Sequence, residues 1–366
     1  MKICGIITEY NPLHNGHIHH IKMAKELTNC DVLIAVMSGN FTQRGEMAIV
    51  DKHQRAMAAI KHGVDIVLEL PYAYATQSAN IFAKGAIDIL KLAKIDYLCF
   101  GSETNNLAEL QEIAATNINV NNLKELLKDG NSFPKAYGLL ANCMGPNDIL
   151  GVAYLKQLTN SKIIPVTIQR TTSYHEEKLA KITSAKAIRL ALKNNEDISY
   201  ATPMSIDKQD IVTLEQFYPM IKQRLLTTDP KALANILMFS EGIENHLIKV
   251  AKQCHDYPSF IAQATTRRYT SSRINRCLIH MLNNITKQDV LALPPIENIK
   301  VLAFNQQGQA YLKSLKKHCK IATTFNQNAS AYAQMELKTT YTYTTFLNEK
   351  KATQIIKQEI SGAIKL

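Results

Sequence analysis

In the first hundred residues, short apolar runs alternate with longer segments whose apolar positions recur every three or four residues. The runs Ile3–Thr8, Val32–Met37, Val64–Leu70 and Tyr97–Phe100 are rich in β-branched or aromatic side chains. Each stops at Gly, Ser, Pro or a polar cluster, which predicts strands. Between them, His17–Leu27, Lys52–His62 and Ile81–Ala93 carry the helical period. Strands separated by helices of about a dozen residues read as βαβ units, and so as a parallel sheet. A further helix is expected at Asn147–Leu158, followed by a strand at Lys162–Ile168. The pattern turns polar at Lys193-Asn194-Asn195-Glu196-Asp197. Beyond it the periodicity is almost wholly helical, as in Ile211–Phe217, Asn245–Cys254 and Ser272–Leu282. After Pro294-Pro295, Lys300–Phe304 and Lys320–Thr323 predict two short strands. The pattern therefore describes an α/β domain over residues 1–197 and a mainly helical domain over 198–366.

Composition narrows the classes open to such a chain. Of its 366 residues, 46% are hydrophobic and 20% charged, enough for packed cores and too apolar for wholesale disorder. No run of about 18 uncharged apolar residues occurs, so no membrane partner is expected. Met1-Lys2-Ile3-Cys4-Gly5 enters a strand at once, without the apolar stretch and cleavage site of an export signal, and the expectation is a cytoplasmic protein. The seven cysteines, at 4, 30, 99, 143, 254, 277 and 319, are odd in number and lack a C-x-x-C pair. They predict reduced, mostly buried thiols rather than a disulfide framework or a zinc site. Charge is uneven. Residues 1–200 hold 21 basic and 19 acidic side chains, or +2, whereas residues 201–366 hold 21 and 12, or +9. The excess in the second half fits either contact with a polyanion or a merely solvated basic surface.

The densest chemistry follows the first strand, in Ile6-Ile7-Thr8-Glu9-Tyr10-Asn11-Pro12-Leu13-His14-Asn15-Gly16-His17. A strand runs into a loop, and His14-Asn15-Gly16-His17 opens a helix whose unpaired N–H groups and partial positive charge suit a nucleotide phosphate. Gly16 lets the backbone approach a ligand. Two imidazoles three residues apart share one helical turn and can donate to phosphate oxygens. His19 and His20 stand close by, so a metal cluster is one alternative, although carboxylate or Cys ligands at suitable spacing are missing. A histidine-rich helix start on the surface is another. Further on, Ser184-Ala185-Lys186-Ala187-Ile188-Arg189 begins a helix past the last strand of the parallel sheet. The Ser184 hydroxyl and the Arg189 guanidinium suit the β- and γ-phosphates, the latter by bidentate donation. Alone, Arg189 would read as a plain surface residue.

H-x-G-H followed far downstream by a segment like Ile-Ser-Ser-Thr-x-Ile-Arg resembles the nucleotidyltransferase superfamily of adenylyl- and cytidylyltransferases. The likeness narrows with further blocks. Thr8-Glu9-Tyr10-Asn11-Pro12-Leu13-His14-Asn15-Gly16-His17, Met37-Ser38-Gly39-Asn40-Phe41-Thr42-Gln43-Arg44-Gly45-Glu46, Leu68-Glu69-Leu70-Pro71, Phe100-Gly101-Ser102-Glu103, Pro146-Asn147-Asp148-Ile149-Leu150-Gly151 and Arg267-Arg268-Tyr269-Thr270 together resemble the tRNA(Met) cytidine acetate ligase family. The resemblance implies a Rossmann-like nucleotidyltransferase domain and a two-step reaction. Acetate attacks the α-phosphate of ATP to give acetyl-adenylate and pyrophosphate. The acetyl group then passes to N4 of the wobble cytidine in elongator tRNA(Met). It also implies ATP contacts from Ile7, Thr8, Glu9, Tyr10, Asn11, Pro12, Leu13, His14, Asn15, Gly16, His17, Ile18, His19 and His20, and from Gly101, Asn147 and Arg170. Two departures stand out: the superfamily's Thr three residues before the Arg is Lys186 here, and the second Asn of the Pro-Asn-Asn-Ile-Leu-Gly block is Asp148.

Within that chemistry, acetate is already ionised at neutral pH, and the first step needs positioning and charge stabilisation more than proton transfer. His14 and His17 are expected to stabilise the α- and β-phosphate oxygens, and Thr8 to bond the α-phosphate. Lys22 and Arg189 are expected to neutralise pyrophosphate. A Mg²⁺ bridging the phosphates is expected for a nucleotide substrate, yet no carboxylate motif for it is apparent. The polar Ser38–Glu46 loop lies at the carboxyl edge of the sheet. Its Arg44 reads either as a ligand of acetate or of a tRNA phosphate, or as part of a loop packed on its own strands. Arg267, Arg268, Tyr269, Arg273 and Arg276 form a candidate backbone-and-stacking platform for single-stranded RNA, the alternative being an arginine-rich helix packed on the catalytic domain. No protein partner is indicated. An adenylyltransferase acting on a small phosphorylated acceptor accounts for H-x-G-H but leaves the basic half without a purpose. A non-catalytic RNA-binding protein leaves His14, Gly16, His17 and Arg189 without one.

Overall fold

Six almost wholly buried residues, Ile3–Thr8, form the central strand β1, flanked by β2 (Val32–Ser38) and β4 (Tyr97–Ser102). A computed structural model of the chain describes residues 1–116, 125, 129, 145–170, 179–322, 324–325 and 329–366. β3 (Ile66–Leu70) adds outside β2, and β5 (Ile164–Gln169) outside β4. These five strands are parallel, with Thr8 opposite Met37 and Gly101 opposite Ile168. Winding reverses at β1, and the crevice outside its carboxyl end is where doubly wound sheets take ligands.

Helices cover both faces because strands of a parallel sheet are apolar on both sides. On one face α1 (Asn15–Thr28) and α2 (Lys52–Lys61) bury Ile21, Ala24, Ala56, Ala59 and Ile60 against Ile6, Leu33, Ala35 and Val67. On the other, Phe82, Ala86 and Leu90 of helix Ala79–Leu92 and Val152 of helix Pro146–Gln157 pack against Ile3, Ile34, Val36 and Leu68. A separate core, from Val212 to Ile285, fills the helical segment and reaches the sheet through Phe41, Met47 and Tyr72.

Two expectations change. Ile211–Phe217 is not a helix. The helix spans Tyr218–Thr227, with Pro219 in its first turn, where a missing N–H costs nothing. The apolar spacing at Val212, Leu214 and Phe217 instead records burial of a turn against the helical core. The boundary at residue 197 does not follow the sheet either. β6 (Asn298–Phe304) pairs antiparallel with β3, Val67 opposite Ala303, and β7 (Lys320–Ala322) and β8 (Ile364–Lys365) pair with β6. Residues beyond 297 thus close an edge of β3 that would otherwise present unpaired backbone groups. Thr323 and Cys143 lie outside the described residues. Cys4, Cys99, Cys254 and Cys277 are buried thiols, and Cys30 and Cys319 are half-buried. Among the described residues no helix is long and apolar enough to cross a membrane.

The two ends of the chain meet in an ionic cluster that is buried except at Lys300, which is about a quarter exposed. Lys52 of α2 lies 2.7 Å from Glu359 and 3.4 Å from Glu336, and also bonds Glu69 of β3. Lys300 of β6 lies 2.8 Å from the same Glu69 and also bonds Glu359. Glu336 and Glu359 come from the last two long helices, Ala331–Thr344 and Glu349–Ser361. Burial and the neighbouring carboxylates push the Glu336 carboxyl up to about 8, whereas Lys52 and Lys300 hold the Glu359 carboxyl far below the usual range. Breaking one member of a buried ionic group costs about 3–5 kcal/mol, because it strands the others. Lys52→Met is expected to lower the unfolding free energy by about that amount. Urea denaturation with a loss below about 1 kcal/mol would show that the cluster does not hold the chain ends.

Candidate active site

At the carboxyl end of β1 the chain turns through Tyr10, whose φ of 51° is left-handed, into α1. The helix start is closed by imidazoles. Gly16 N–H donates to Nδ1 of His14 (3.1 Å), and His14 N–H donates to Nδ1 of His17 (3.3 Å), a reciprocal cap of the kind usually made by Ser and Glu. The two ring centroids are 3.7 Å apart. Because each Nδ1 accepts from backbone, the neutral ring carries its proton on Nε2, and both residues are presented as Nε2–H donors. A Cβ on Gly16 would lie 2.9 Å from the His14 ring, so glycine is required for the cap itself.

Burial keeps both rings neutral. Desolvation, with smaller repulsion from Arg170 and Arg189, depresses His14 to about 3. Burial, then His14, His20 and Arg170, depresses His17 well below its ordinary value. Burial likewise takes His20 down to about 4. The surroundings are unsatisfied: Thr8 Oγ1, Tyr10 Oη and His20 Nε2 are buried without a hydrogen-bond partner. A buried cluster of orphaned hydroxyls, two N–H donors and a helix N-terminus fits a polyanion.

The loop between β1 and α1 is held by its carbonyls, from several directions. The Arg55 guanidinium takes Glu9 O, Arg189 takes Asn11 O at 2.9 Å, and Thr202 Oγ1 takes Leu13 O at 2.5 Å. Ile49 N–H donates to the Asn11 side chain (2.9 Å), and Asn15 Nδ2 donates to Lys181 O and Tyr200 O. Sequence alone offers no signal for Arg55 or Thr202, because neither lies in a motif or near the loop in the chain.

Neighbouring strand ends complete the crevice. Gly101 on β4 faces Arg170 at the end of β5, where a Cβ would make only an ordinary 3.6 Å contact; among the described residues nothing demands glycine there. Glu103 caps helix Pro146–Gln157 from outside, accepting from Asn147 N–H (3.1 Å), Asp148 N–H (2.9 Å) and the Asn147 amide (2.5 Å). Asp148 is fully buried and accepts from Ser102 Oγ (2.5 Å) and the N–H groups of Glu103 (3.1 Å) and Thr104 (3.2 Å). The Asp at this position is therefore a bracket for the β4 turn, using both carboxylate oxygens. Ser184 caps its helix by accepting from Ala187 N–H (3.0 Å), and Lys186 is exposed. Arg189 reaches the loop and pairs with Glu46 at 3.2 Å.

Other expected residues are placed elsewhere. Lys22 points to solvent, 71% exposed, and pairs with Glu26 at 3.6 Å, so it stands apart from the imidazoles on its own helix. Tyr269 is not an open stacking surface. It is buried, donates to Glu241 O (2.8 Å), and lies under the Arg268 and Arg273 guanidiniums, 5.6 and 5.1 Å from its ring centre. Arg273 bonds Glu241 (3.0 Å), and Arg276 donates to Gln43 O (2.9 Å), its pKa pushed down to about 10 by burial. The Ser38–Glu46 loop therefore packs on helix Ser271–Leu282, so tightly that a Cβ on Gly45 would meet Arg276 N at 2.3 Å. Of this segment Arg267 and Arg268 remain exposed. A metal reading of the histidines must contend with two rings that spend Nδ1 on backbone donors. Among the described residues no group of three or more His, Cys, Asp or Glu is placed to hold an ion.

Fold and cap together define a nucleotidyltransferase. A family model described as HIGH Nucleotidyl Transferase matches residues 1–359. The tRNA(Met) cytidine acetate ligase of Oceanobacillus iheyensis is 35% identical over the whole of both chains. That of Caldicellulosiruptor saccharolyticus is 39% identical over 88% of this chain and 87% of its own. The crystal structure of Thermotoga maritima TmcAL bound with alpha-thio ATP superimposes with a TM-score of 0.88, covering all of both chains at 29% identity. The chain thus belongs to the HIGH nucleotidyl transferases and, within them, to the family of the tRNA(Met) cytidine acetate ligases.

The depressed imidazoles have a consequence for stability. Between about pH 6.5 and the folded values near 4 and 3, the unfolded chain binds protons that His20 and His14 refuse. Stability must therefore fall as pH drops through this window. In phosphate-free buffer, the urea midpoint is expected to decline steadily from pH 7 to pH 4.5, and the double variant His14→Asn, His20→Asn to flatten that slope. Parallel slopes for the two proteins would contradict the assignment.

Proposed function

We propose that this chain is an ATP-dependent tRNA(Met) cytidine acetate ligase. The observation that carries the reading is the reciprocal imidazole cap, which sets two neutral Nε2–H donors and a helix N-terminus beside orphaned hydroxyls at the switch point of the sheet. An acetate oxygen attacks the α-phosphorus of ATP, the bond to the β-phosphate oxygen breaks, and pyrophosphate leaves. No proton need move, which suits rings held neutral. His14 and His17 donate to the α- and β-phosphate oxygens, Thr8 bonds the α-phosphate, and the Arg170 guanidinium supplies charge from the end of β5. Gly101 and Asn147 line the nucleotide's other side, and the residues Ile7–His20 supply the loop and helix start. Arg189 orients the loop through Asn11 O as much as it attracts pyrophosphate. Carboxylates near the site are engaged, Glu9 by Gln43 N–H (2.7 Å), Glu46 by Arg189 and Glu103 by the helix start. A Mg²⁺ on the phosphates would then take its other ligands from water.

In the second step N4 of the wobble cytidine of elongator tRNA(Met) attacks the acetyl carbonyl carbon, the carbonyl–phosphate oxygen bond breaks, AMP departs with that electron pair, and N4 releases one proton to water. The cytosine must leave its stack to reach the crevice. Residues 1–197 supply the chemistry, and the basic remainder, with a net charge of +9 over residues 201–366, supplies the RNA surface. Arg267 and Arg268 meet the tRNA backbone, whereas Tyr269, Arg273 and Arg276 hold the segment that presents them.

Incubation with labelled acetate, ATP and elongator tRNA(Met) is expected to put label into the tRNA as N4-acetylcytidine, identified by mass analysis of its nucleosides. Label in a small phosphorylated acceptor and none in tRNA would overturn the reading. His17→Ala is expected to reduce acetate-dependent ATP–pyrophosphate exchange by about 10² or more; near-wild-type exchange would refute its role. Replacing Arg267 and Arg268 together with Ala is expected to reduce the slope of log affinity against log salt by about 2. Titration of tRNA binding from about 50 to about 200 mM salt reads that slope.

A further inference from the structure

Arg55 heads the fully buried side chains by size, with an exposure of 0%. Its Nε donates to Val50 O (2.8 Å), Nη1 to Glu9 O (2.5 Å) and Ser38 O (3.1 Å), and Nη2 to Gly39 O. Among the described residues no carboxylate lies within ion-pair distance of it. Burial depresses its pKa, opposed by the more distant Tyr343, Asp51, Glu9 and Glu69. A sealed cation satisfied by carbonyl dipoles alone is a costly arrangement. Three of its four acceptors share one location. Glu9 O follows the last residue of β1, and Ser38 O and Gly39 O end β2 and begin its loop.

A guanidinium presents its donors in a rigid planar fork, so carbonyls that share it are held at one spacing. Here the fork spans the ends of two adjacent strands, one of which continues directly into the imidazole-capped helix. We propose that Arg55 is a positioning residue for the nucleotide site: it clamps the carboxyl ends of β1 and β2 so that the Tyr10–His14 loop is set for the triphosphate before ATP arrives. Lysine, whose donors all radiate from one nitrogen, lacks the planar fork that fixes the spacing of the two strand ends. The inference rests on the ATP reading above.

Three variants test it, Arg55→Lys, Arg55→Met and the control Leu225→Ala, which removes a buried side chain from the helical core. Each is characterised by thermal unfolding, by ATP affinity at a temperature where it is fully folded, and by KM and kcat for acetate-dependent exchange. Arg55→Lys is expected to raise Kd and KM for ATP about tenfold while kcat changes less than threefold, with a larger rise for Arg55→Met. Leu225→Ala is expected to lower the unfolding temperature with ATP affinity within twofold. A folded Arg55→Lys protein that binds ATP within twofold of wild type would overturn the proposal. Hydrogen exchange on the wild-type chain needs no variant. Amides of residues 10, 11 and 13 are expected to exchange slowly before ATP is added, and fast exchange there overturns the clamp. Failure of the wild type to bind ATP would instead sink the ATP reading, while slow exchange would still report the clamp.

Discussion

Two ammonium groups enclosed by three carboxylates decide where most of this molecule sits. Lys52 and Lys300 share Glu69 and Glu359, and the cluster draws together a helix from the first quarter of the chain, strands from both halves and the last two long helices. Charges removed from water are tolerated only when their partners are in place, so each of these elements is committed to one position relative to the others. The dependence runs onward. Lys52 opens α2, and Arg55, one turn later, reaches from that helix to the strand ends that carry the loop before α1. The ionic lock lies against Gly39 at the end of β2, beside the hydrogen-bonding fork that holds the same strand end.

At that edge the site presents neutral donors rather than a charged side chain first. His14 and His17 are uncharged donors, kept so by enclosure and by the arginines nearby, and their tautomer is imposed by the helix they cap. A neutral donor whose orientation is already set loses little in reorganisation as charge builds on a phosphate oxygen. The cationic groups stand one layer back: Arg170 at the end of β5 and Arg189 on the loop's carbonyl. This division between aimed dipoles in front and charge behind suits a step in which an anion must approach another anion.

Local chemistry was legible in the amino-acid sequence, and tertiary chemistry was not. The strand Ile3–Thr8 and the helix start at His14 follow from a few consecutive residues, and the structure places them as that pattern implies. The struts of the same loop come from residues 55, 189 and 202, whose approach depends on how α2 and the later segments pack, and no spacing announces it. Tyr269 and its arginines show the opposite failure. Arginine beside tyrosine has the composition of an RNA platform, but composition does not say which way a ring faces, and here its hydroxyl is spent on Glu241 O. Glu336 and Glu359 read as ordinary charges on amphipathic helices, because burial of a carboxylate is decided by the lysine that meets it.

The antiparallel pairing of β3 with β6 bears on how the protein is made. A nascent chain emerging from the ribosome exposes residues 66–70 long before residues 298–304 exist to cover them. Until then the rim of an otherwise finished parallel sheet offers its unpaired amides and carbonyls to any passing strand, and closing so distant a contact is intrinsically slow. The interval in which this protein is most open to misassembly thus lies late in translation, after the loop before α1 has been synthesised and before its last helices can lock the glutamates in place.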